Sequence, residues 1–342
     1  MTRPDPIADL PEDAALRHAL AAGADGLTPS PAPYAAIVHG GRRLRRRRTA
    51  TRAGLLGAAV LVPALTLALL PGHRPGAAPA GPASSPTATK VAFEAAHDPG
   101  VPDDVRMTKL SGRVSGVSGE ILVWLPPQYD DPAYQGKTFP VVELLSGRPA
   151  APDVWFSAAG ASEQLKPLVG DGSALPFILV APQTSRLAGE QDNGCADRPG
   201  GPKAESWLTK DVPQLLLEHF RVQPEPQHWA LAGYANGAHC ATRLALNHPD
   251  RYGAAVSING YNDPATQPGS PVGPEGNPLT LLSHSSPKLA VYATGNPDAQ
   301  ALAAAAHSPT TVTVAPATDP HDIGVWRTAL PGAYRWLTQQ LK

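Results

Sequence analysis

Cysteine is scarce in this sequence, with two in 342 residues, Cys195 and Cys240. Two cysteines cannot make a multi-bridge framework, and none of the eleven histidines stands at zinc-like spacing from them. Neither a metal nor any other cofactor is therefore expected. There is no internal repeat. Net charge is almost absent as well, at −1 overall, and carries no information until the chain is divided. Hydrophobic residues make up 42%, ordinary for a chain that buries a core, while 40 Pro and 32 Gly exceed average usage and point to linker or loop in part of the length.

Charge is distributed unevenly. Residues 1–52 hold nine Arg against five acids, a local net of +4, which leaves −5 for the rest. Arg42, Arg43, Arg45, Arg46, Arg47, Arg48 and Arg52 directly precede an uncharged apolar run from Ala53 to Pro71. At a rise of about 1.5 Å per residue this run spans roughly 28 Å, enough to cross a bilayer as one helix, with Pro63 a modest kink. The arginines read as a positive-inside topology signal, and no nucleic-acid partner is expected. A cleaved signal peptide is the competing reading, but the leader ahead of the apolar core is long for one. The expected organisation is a short basic cytoplasmic segment (1–52), a single transmembrane helix (53–71), a Pro/Ala/Gly-rich stalk (72–90) and an extracytoplasmic domain (91–342), anchored at the plasma membrane. The cytoplasmic segment holds one short amphipathic stretch, Asp13 to Ala22, too little to fold alone.

Beyond the stalk, short β-rich runs alternate with helical stretches. Strands are expected at Glu120–Pro126, Pro140–Leu145, Pro176–Pro182, Trp229–Ala232, Ala254–Asn259, Leu289–Thr294 and Thr310–Ala315. Several are continuous apolar runs, as in strands covered on both faces of a parallel sheet. Helices are expected at Leu208–Phe220, His239–Asn247, Asp298–His307 and Ile323–Leu341. The alternation predicts an α/β fold with a mostly parallel, doubly wound sheet.

One segment carries chemistry. Trp229-Ala-Leu-Ala-Gly-Tyr-Ala-Asn-Gly-Ala-His-Cys runs from a hydrophobic strand through a Gly-x-x-x-Gly turn into a helix of small residues. That is the layout of a nucleophile elbow, in which a strained turn lifts one side chain above the sheet. Gly233 and Gly237 relieve crowding around it. The central position, where a serine belongs, is Ala235.

With Glu120–Tyr129, Phe139–Gly147, the Asp192–Asp211 stretch and the His321 region, the segment resembles the actinobacterial carboxylesterase and mycolyltransferase-like branch of the α/β hydrolases, akin to S-formylglutathione hydrolase and esterase D. The resemblance covers roughly 110–342 and implies an α/β-hydrolase fold. It puts the nucleophile position on Ala235, the acid on Asp298 and the catalytic histidine on His321. It puts the oxyanion hole on the backbone N–H of Asn236 and on the loop Leu145-Ser146-Gly147-Arg148, with Gly147 and Arg148 as the contributing residues. The family has His-Gly where this chain has Ser146-Gly147. Asp298 has a second reading as a cap for a helix beginning at Ala299, and His321 as a solvated loop residue between Asp319 and Asp322. His239 reads as a helix residue near the pocket. Cys195 and Cys240 correspond to a pair beside the pocket in the family, implying a disulfide that ties the Asp192 loop to the elbow helix; two buried thiols are the alternative.

A triad acts by serine attack on an acyl carbonyl, with the histidine taking the proton and the acid holding the imidazole. A methyl group cannot attack. The first reading is therefore a pseudoenzyme binding an acyl ester, lipid, glycan or protein partner. The alternatives are an active serine esterase or acyltransferase with a native serine at 235, one using Ser146 instead, and an anchored envelope scaffold.

Overall fold

The computed structural model describes residues 91–147, 150–185, 187, 195–264, 272–316 and 323–341. The expected cytoplasmic segment, transmembrane helix and stalk lie outside the described residues, as do Arg148 and His321. Among the described residues, no helix is long and apolar enough to cross a membrane.

Nine strands form one sheet in the order β1-β2-β3-β5-β4-β6-β7-β8-β9. They are β1 (Glu94–Ala95), β2 (Val105–Ser111), β3 (Ser118–Trp124), β4 (Val141–Leu145), β5 (Ile178–Pro182), β6 (Trp229–Tyr234), β7 (Ala254–Ile258), β8 (Ala290–Thr294) and β9 (Thr311–Ala315). The edge from β1 to β3, and its junction with β5, is antiparallel. From β5 through β4 to β9 the strands run parallel. All seven expected strands are present. The sequence reading did not include β1 or β2.

Helices cover both faces, because the central strands are apolar on both. Val141 and Leu145 of β4 pack on one side with Leu208 and Leu244, whereas Val142 and Leu144 pack on the other with Leu165 and Leu337. Each such fully buried aliphatic side chain contributes roughly 2 kcal/mol of transfer free energy. The helices are α1 (Ala161–Gly170), α2 (Ala204–Ser206), α3 (Val212–His219), α4 (Asn236–Asn247), α5 (Pro278–His284), α6 (Pro297–Ala305) and α7 (Ile323–Gln340). A π-helical turn, Trp207–Asp211, joins α2 to α3. The single helix expected over Leu208–Phe220 is thus split. Pro213 has no N–H to give to the preceding turn, which widens, and Asp211 is buried against the β2–β3 hairpin. Its two carboxylate oxygens each accept a backbone N–H at 2.9 Å, from Val114 and Ser115, pinning the β2–β3 hairpin.

The strand order reverses at β4, which has β5 on one side and β6 on the other. The helices that follow β4 and β6 pack on opposite faces, which puts the carboxyl ends of these two strands at the usual ligand position of an open α/β sheet.

Candidate functional site

Ala235 stands at that reversal, between the last residue of β6 and the first of α4. Its backbone has φ 48° and ψ −118°. These are the mirror image of an extended conformation, open to glycine and strained by about 1–3 kcal/mol for a residue with a Cβ. The strain is enforced from both sides. A Cβ on Gly233 would lie 2.1 Å from the Gly237 carbonyl oxygen, and one on Gly237 would lie 2.0 Å from the Leu145 carbonyl oxygen. The two glycines therefore let helix, strand and the end of β4 meet. The Ala235 N–H donates to the Ile258 carbonyl at 3.0 Å, holding the turn to β7. α4 begins at Asn236, three residues before the expected start, because the helix grows directly from the elbow.

The Asn236 and Gly237 N–H groups find no acceptor among the described residues, since Ala238 and His239 already share the Ala235 carbonyl. They are the free donors of a helix N-terminus. The Asn236 side chain turns aside, its amide donating to the Tyr261 hydroxyl at 2.9 Å. Tyr261 also stacks on His239, centroids 4.8 Å apart, and accepts from His239 Nδ1 through its carbonyl at 3.1 Å. His239 is 1% exposed, a buried helix residue held by the loop after β7.

Opposite the elbow, Ser146 and Gly147 continue from β4. Ser146 is 2% exposed, and its hydroxyl donates to the Ala151 carbonyl at 3.1 Å. Among the described residues, no base is hydrogen-bonded to it. Gly147 is pressed against Tyr234, where a Cβ would meet the ring at 2.7 Å. Tyr234 stacks on Trp326 of α7 at 3.7 Å and leans on Trp155 at 5.1 Å. Burial pushes the Tyr234 hydroxyl up to about 12, with Ser146 and Gly147 beside it acting in the opposite sense, so it is a proton-bearing donor at any ordinary pH. This aromatic cluster was not anticipated from sequence; its members lie far apart in the chain.

Asp298 follows β8 in the first turn of α6. The helix begins at Pro297, and its cap is Asn296, whose side chain accepts the Ala299 N–H at 2.7 Å. Asp298 is therefore not the cap, because Asn296 already occupies that position with the correct extended backbone. Its carboxylate instead accepts the Asn262 N–H at 2.9 Å, while the Asn262 amide donates to its carbonyl at 2.7 Å. Together with Thr242, Ser257, Thr294 and Asn296 it lines a small polar recess behind the loop after β7. That loop connects the two positions: it leaves β7 where Ile258 holds Ala235 and reaches Asp298 through Asn262.

Cys195 and Cys240 form a disulfide, with Cα atoms 5.8 Å apart. Two buried thiols are thereby excluded. The bridge joins the segment ending the Asp192 loop to the body of α4. Arg243, one turn on, reinforces it by donating to the Cys195 carbonyl at 2.6 Å and to Glu205 at 3.0 Å, and His248 meets the other Glu205 oxygen at 2.7 Å. Despite partial burial, these partners hold the Glu205 carboxyl below its ordinary range. Among the described residues, no cluster of His, Cys, Asp or Glu could hold a metal ion.

The turn can thus present a side chain and backbone donors to a ligand, but the side chain is a methyl. Residues 116–337 match the model of the Esterase family. An uncharacterized protein of Corynebacterium glutamicum is 29% identical over 143 residues, 41% of this chain and 32% of that protein. Bovine (Bos taurus) S-formylglutathione hydrolase is 28% identical over 147 residues, 38% of this chain and 47% of that enzyme. The chain thus spans about a third to a half of the length of these curated relatives. Among solved structures, an S-formylglutathione hydrolase from Agrobacterium tumefaciens aligns with a TM-score of 0.58 at 14% identity, covering 74% of this chain and 100% of that one. A family match across well over half of the sequence, on a mostly parallel sheet with an elbow after β6, means that this chain belongs to the esterase family of α/β hydrolases.

Proposed function

We propose that this protein is a membrane-anchored, exported member of the esterase family that binds an acyl ligand at its elbow without turning it over. The observation that carries the reading is Ala235 in the strained elbow conformation, φ 48° and ψ −118°. The backbone retains the turn that raises a nucleophile, and the residue raised has none. In this reading Asp298 and His321 descend from a triad, and Asn236 with the loop at Gly147 and Arg148 supplies backbone donors to the acyl oxygen. The basic stretch from Arg42 and the apolar run from Ala53 to Pro71 support the anchor.

Loss of the nucleophile from such a triad costs on the order of 10⁶ in turnover. The test is hydrolysis of p-nitrophenyl butyrate by the purified full chain, by His321→Ala, by Ala235→Ser and by Ala235→Ser combined with His321→Ala. An inert parent, turnover in Ala235→Ser, and its loss in the double variant are expected. Turnover by the parent that vanishes with His321→Ala alone would overturn the reading in favour of an active esterase, with Ser146 as the next residue to examine.

A further inference from the structure

We infer that β9 is a dimerisation edge, at which two copies of this chain pair antiparallel about a two-fold axis at Thr313. The inference is independent of what the elbow binds, since β7 and β8 lie between β6 and β9. The nine-stranded sheet ends in β1 on one side and β9 on the other. β1 is two residues long and includes Glu94, too short to template another strand. β9, Thr311-Val-Thr-Val-Ala, pairs with β8 without a bulge from Thr311 on Ala290 to Ala315 on Thr294, and among the described residues it has no strand on its other side. It holds neither a charge nor a proline, the usual means by which an edge strand is kept from pairing.

The register decides which backbone groups face outward. The Thr311 N–H donates to the Leu289 carbonyl at 2.9 Å. Thr311, and by the two-residue period of a strand Thr313 and Ala315, therefore direct their N–H and C=O groups to β8. Those of Val312 and Val314 point away from the sheet and have no partner among the described residues. A two-fold rotation at Thr313 sets Val312 opposite the partner's Val314 and Val314 opposite the partner's Val312. Each outward N–H then meets an outward C=O, as in the hydrogen-bonded pairs of an antiparallel ladder. Neighbouring registers fail. Centred on Val314, the rotation would put Val312 opposite the partner's Pro316, which has no N–H. Centred on Val312, it would put Val314 opposite the partner's Thr310, whose N–H already donates to its own His307 carbonyl at 2.9 Å.

Side chains match in the same register. Val312 and Val314 are half-buried, Val312 packing with Leu302 and Ala305 of α6, and each would meet a valine of the partner. Thr311 and Thr313 are exposed on the other face, where Thr313 would meet the partner's Thr313. Such β-branched pairs, directly opposite, stabilise antiparallel strands. From Ala299 to Ala305, α6 carries no charge, so no like charges are brought together where the two copies of that helix come side by side. This self-complementarity is what a two-fold contact requires, and it is why a second copy fits the edge better than an unrelated strand.

The experiment is sedimentation equilibrium of the purified full chain in detergent, beside oxidative cross-linking of Thr313→Cys and Thr311→Cys. The two native cysteines are bonded to each other and leave no thiol to interfere. The parent should sediment as a dimer. Thr313→Cys should form an intermolecular disulfide, because the two Cβ atoms of such a pair lie about 5 Å apart. Thr311→Cys should not, because it lies roughly 13 Å along the strands from the partner's Thr311. Val314→Pro removes an outward N–H and spares the ladder to β8. Thr313→Asp sets two carboxylates against each other and keeps an acceptor for Trp336 Nε1, which donates to the Thr313 hydroxyl at 3.2 Å. Each of these two variants should weaken dimerisation by about tenfold or more with the parent's circular dichroism retained. A monomeric parent, no cross-link at Thr313→Cys, an equal cross-link at Thr311→Cys, or a dimer that Thr313→Asp leaves intact would overturn the inference.

Discussion

Glu143 is the residue whose environment departs furthest from its chemistry. It lies in β4 among Val141, Val142, Leu144 and Leu145, fully buried, and burial pushes its carboxyl up to about 8. At neutral pH it is therefore largely protonated. This resolves its hydrogen bonding, because the single Tyr252 hydroxyl proton cannot serve both Glu143 and the Leu208 carbonyl, each 3.1 Å away. The carboxyl donates to the phenol oxygen and the phenol donates to the carbonyl. In the unfolded chain the same carboxyl titrates near its ordinary 4.5. Between that value and about 8 the native state holds a proton the unfolded state has lost, so stability falls as pH rises, by about 1.4 kcal/mol per pH unit. Urea unfolding at pH 5.5 and 7.5 should show this decline in the parent and a flatter profile in Glu143→Gln. Equal slopes in the two proteins would mean that another group carries the dependence. The sequence displayed a lone acid in an apolar run, but only burial on both faces of the sheet makes it a titrating anomaly.

At the scale of elements, α4 is held by its neighbours more than by its own propensity. Its N-terminus is tied to β7 through Ala235 and its body to the chain at Cys195 through the disulfide, with Arg243 and Glu205 closing the same junction. A bridge across a sequence separation of 45 restrains the unfolded chain by about 4 kcal/mol in the loop-entropy estimate. Cys195→Ala/Cys240→Ala should lower the unfolding free energy by about 2–4 kcal/mol, read as a shift of the urea midpoint with the slope little changed. A loss below 0.5 kcal/mol would show that the Arg243 network alone secures the junction. Legibility in the sequence varied by element for identifiable reasons. β4, β5, β6 and β7 are covered on both faces and announce themselves as apolar runs. β2 does not alternate cleanly: Val105 and Thr108 are buried, Arg106 and Lys109 exposed, and Met107 and Leu110 half-buried, a weaker signal than a continuous apolar run. Pro213 hid the π-helical turn within what looks like one continuous helix, and α5, seven residues long behind a Pro-rich loop, is too short for periodicity to declare itself.

For the whole molecule, the proposed anchor would keep the domain near a bilayer and so make the membrane part of the ligand's route. Deletion of residues 53–71 should move the protein from the membrane pellet to the soluble fraction on ultracentrifugation after lysis; an unchanged distribution would remove the anchor from the proposal. Within the domain, the amino-acid sequence alone determined the positions of seven strands, the α/β alternation and the alanine at position 235 between Gly233 and Gly237. These are consequences of local pattern and of residue identity, which neighbours in the chain are enough to express. Tertiary structure decided the strand order with its reversal at β4, the left-handed backbone forced on Ala235, the joining of Cys195 to Cys240 rather than two thiols, and the meeting of Tyr234 with Trp155 and Trp326. Each of these depends on groups distant in sequence being pressed together, as Gly237 is against Leu145, and no local pattern records which distant backbone will arrive there.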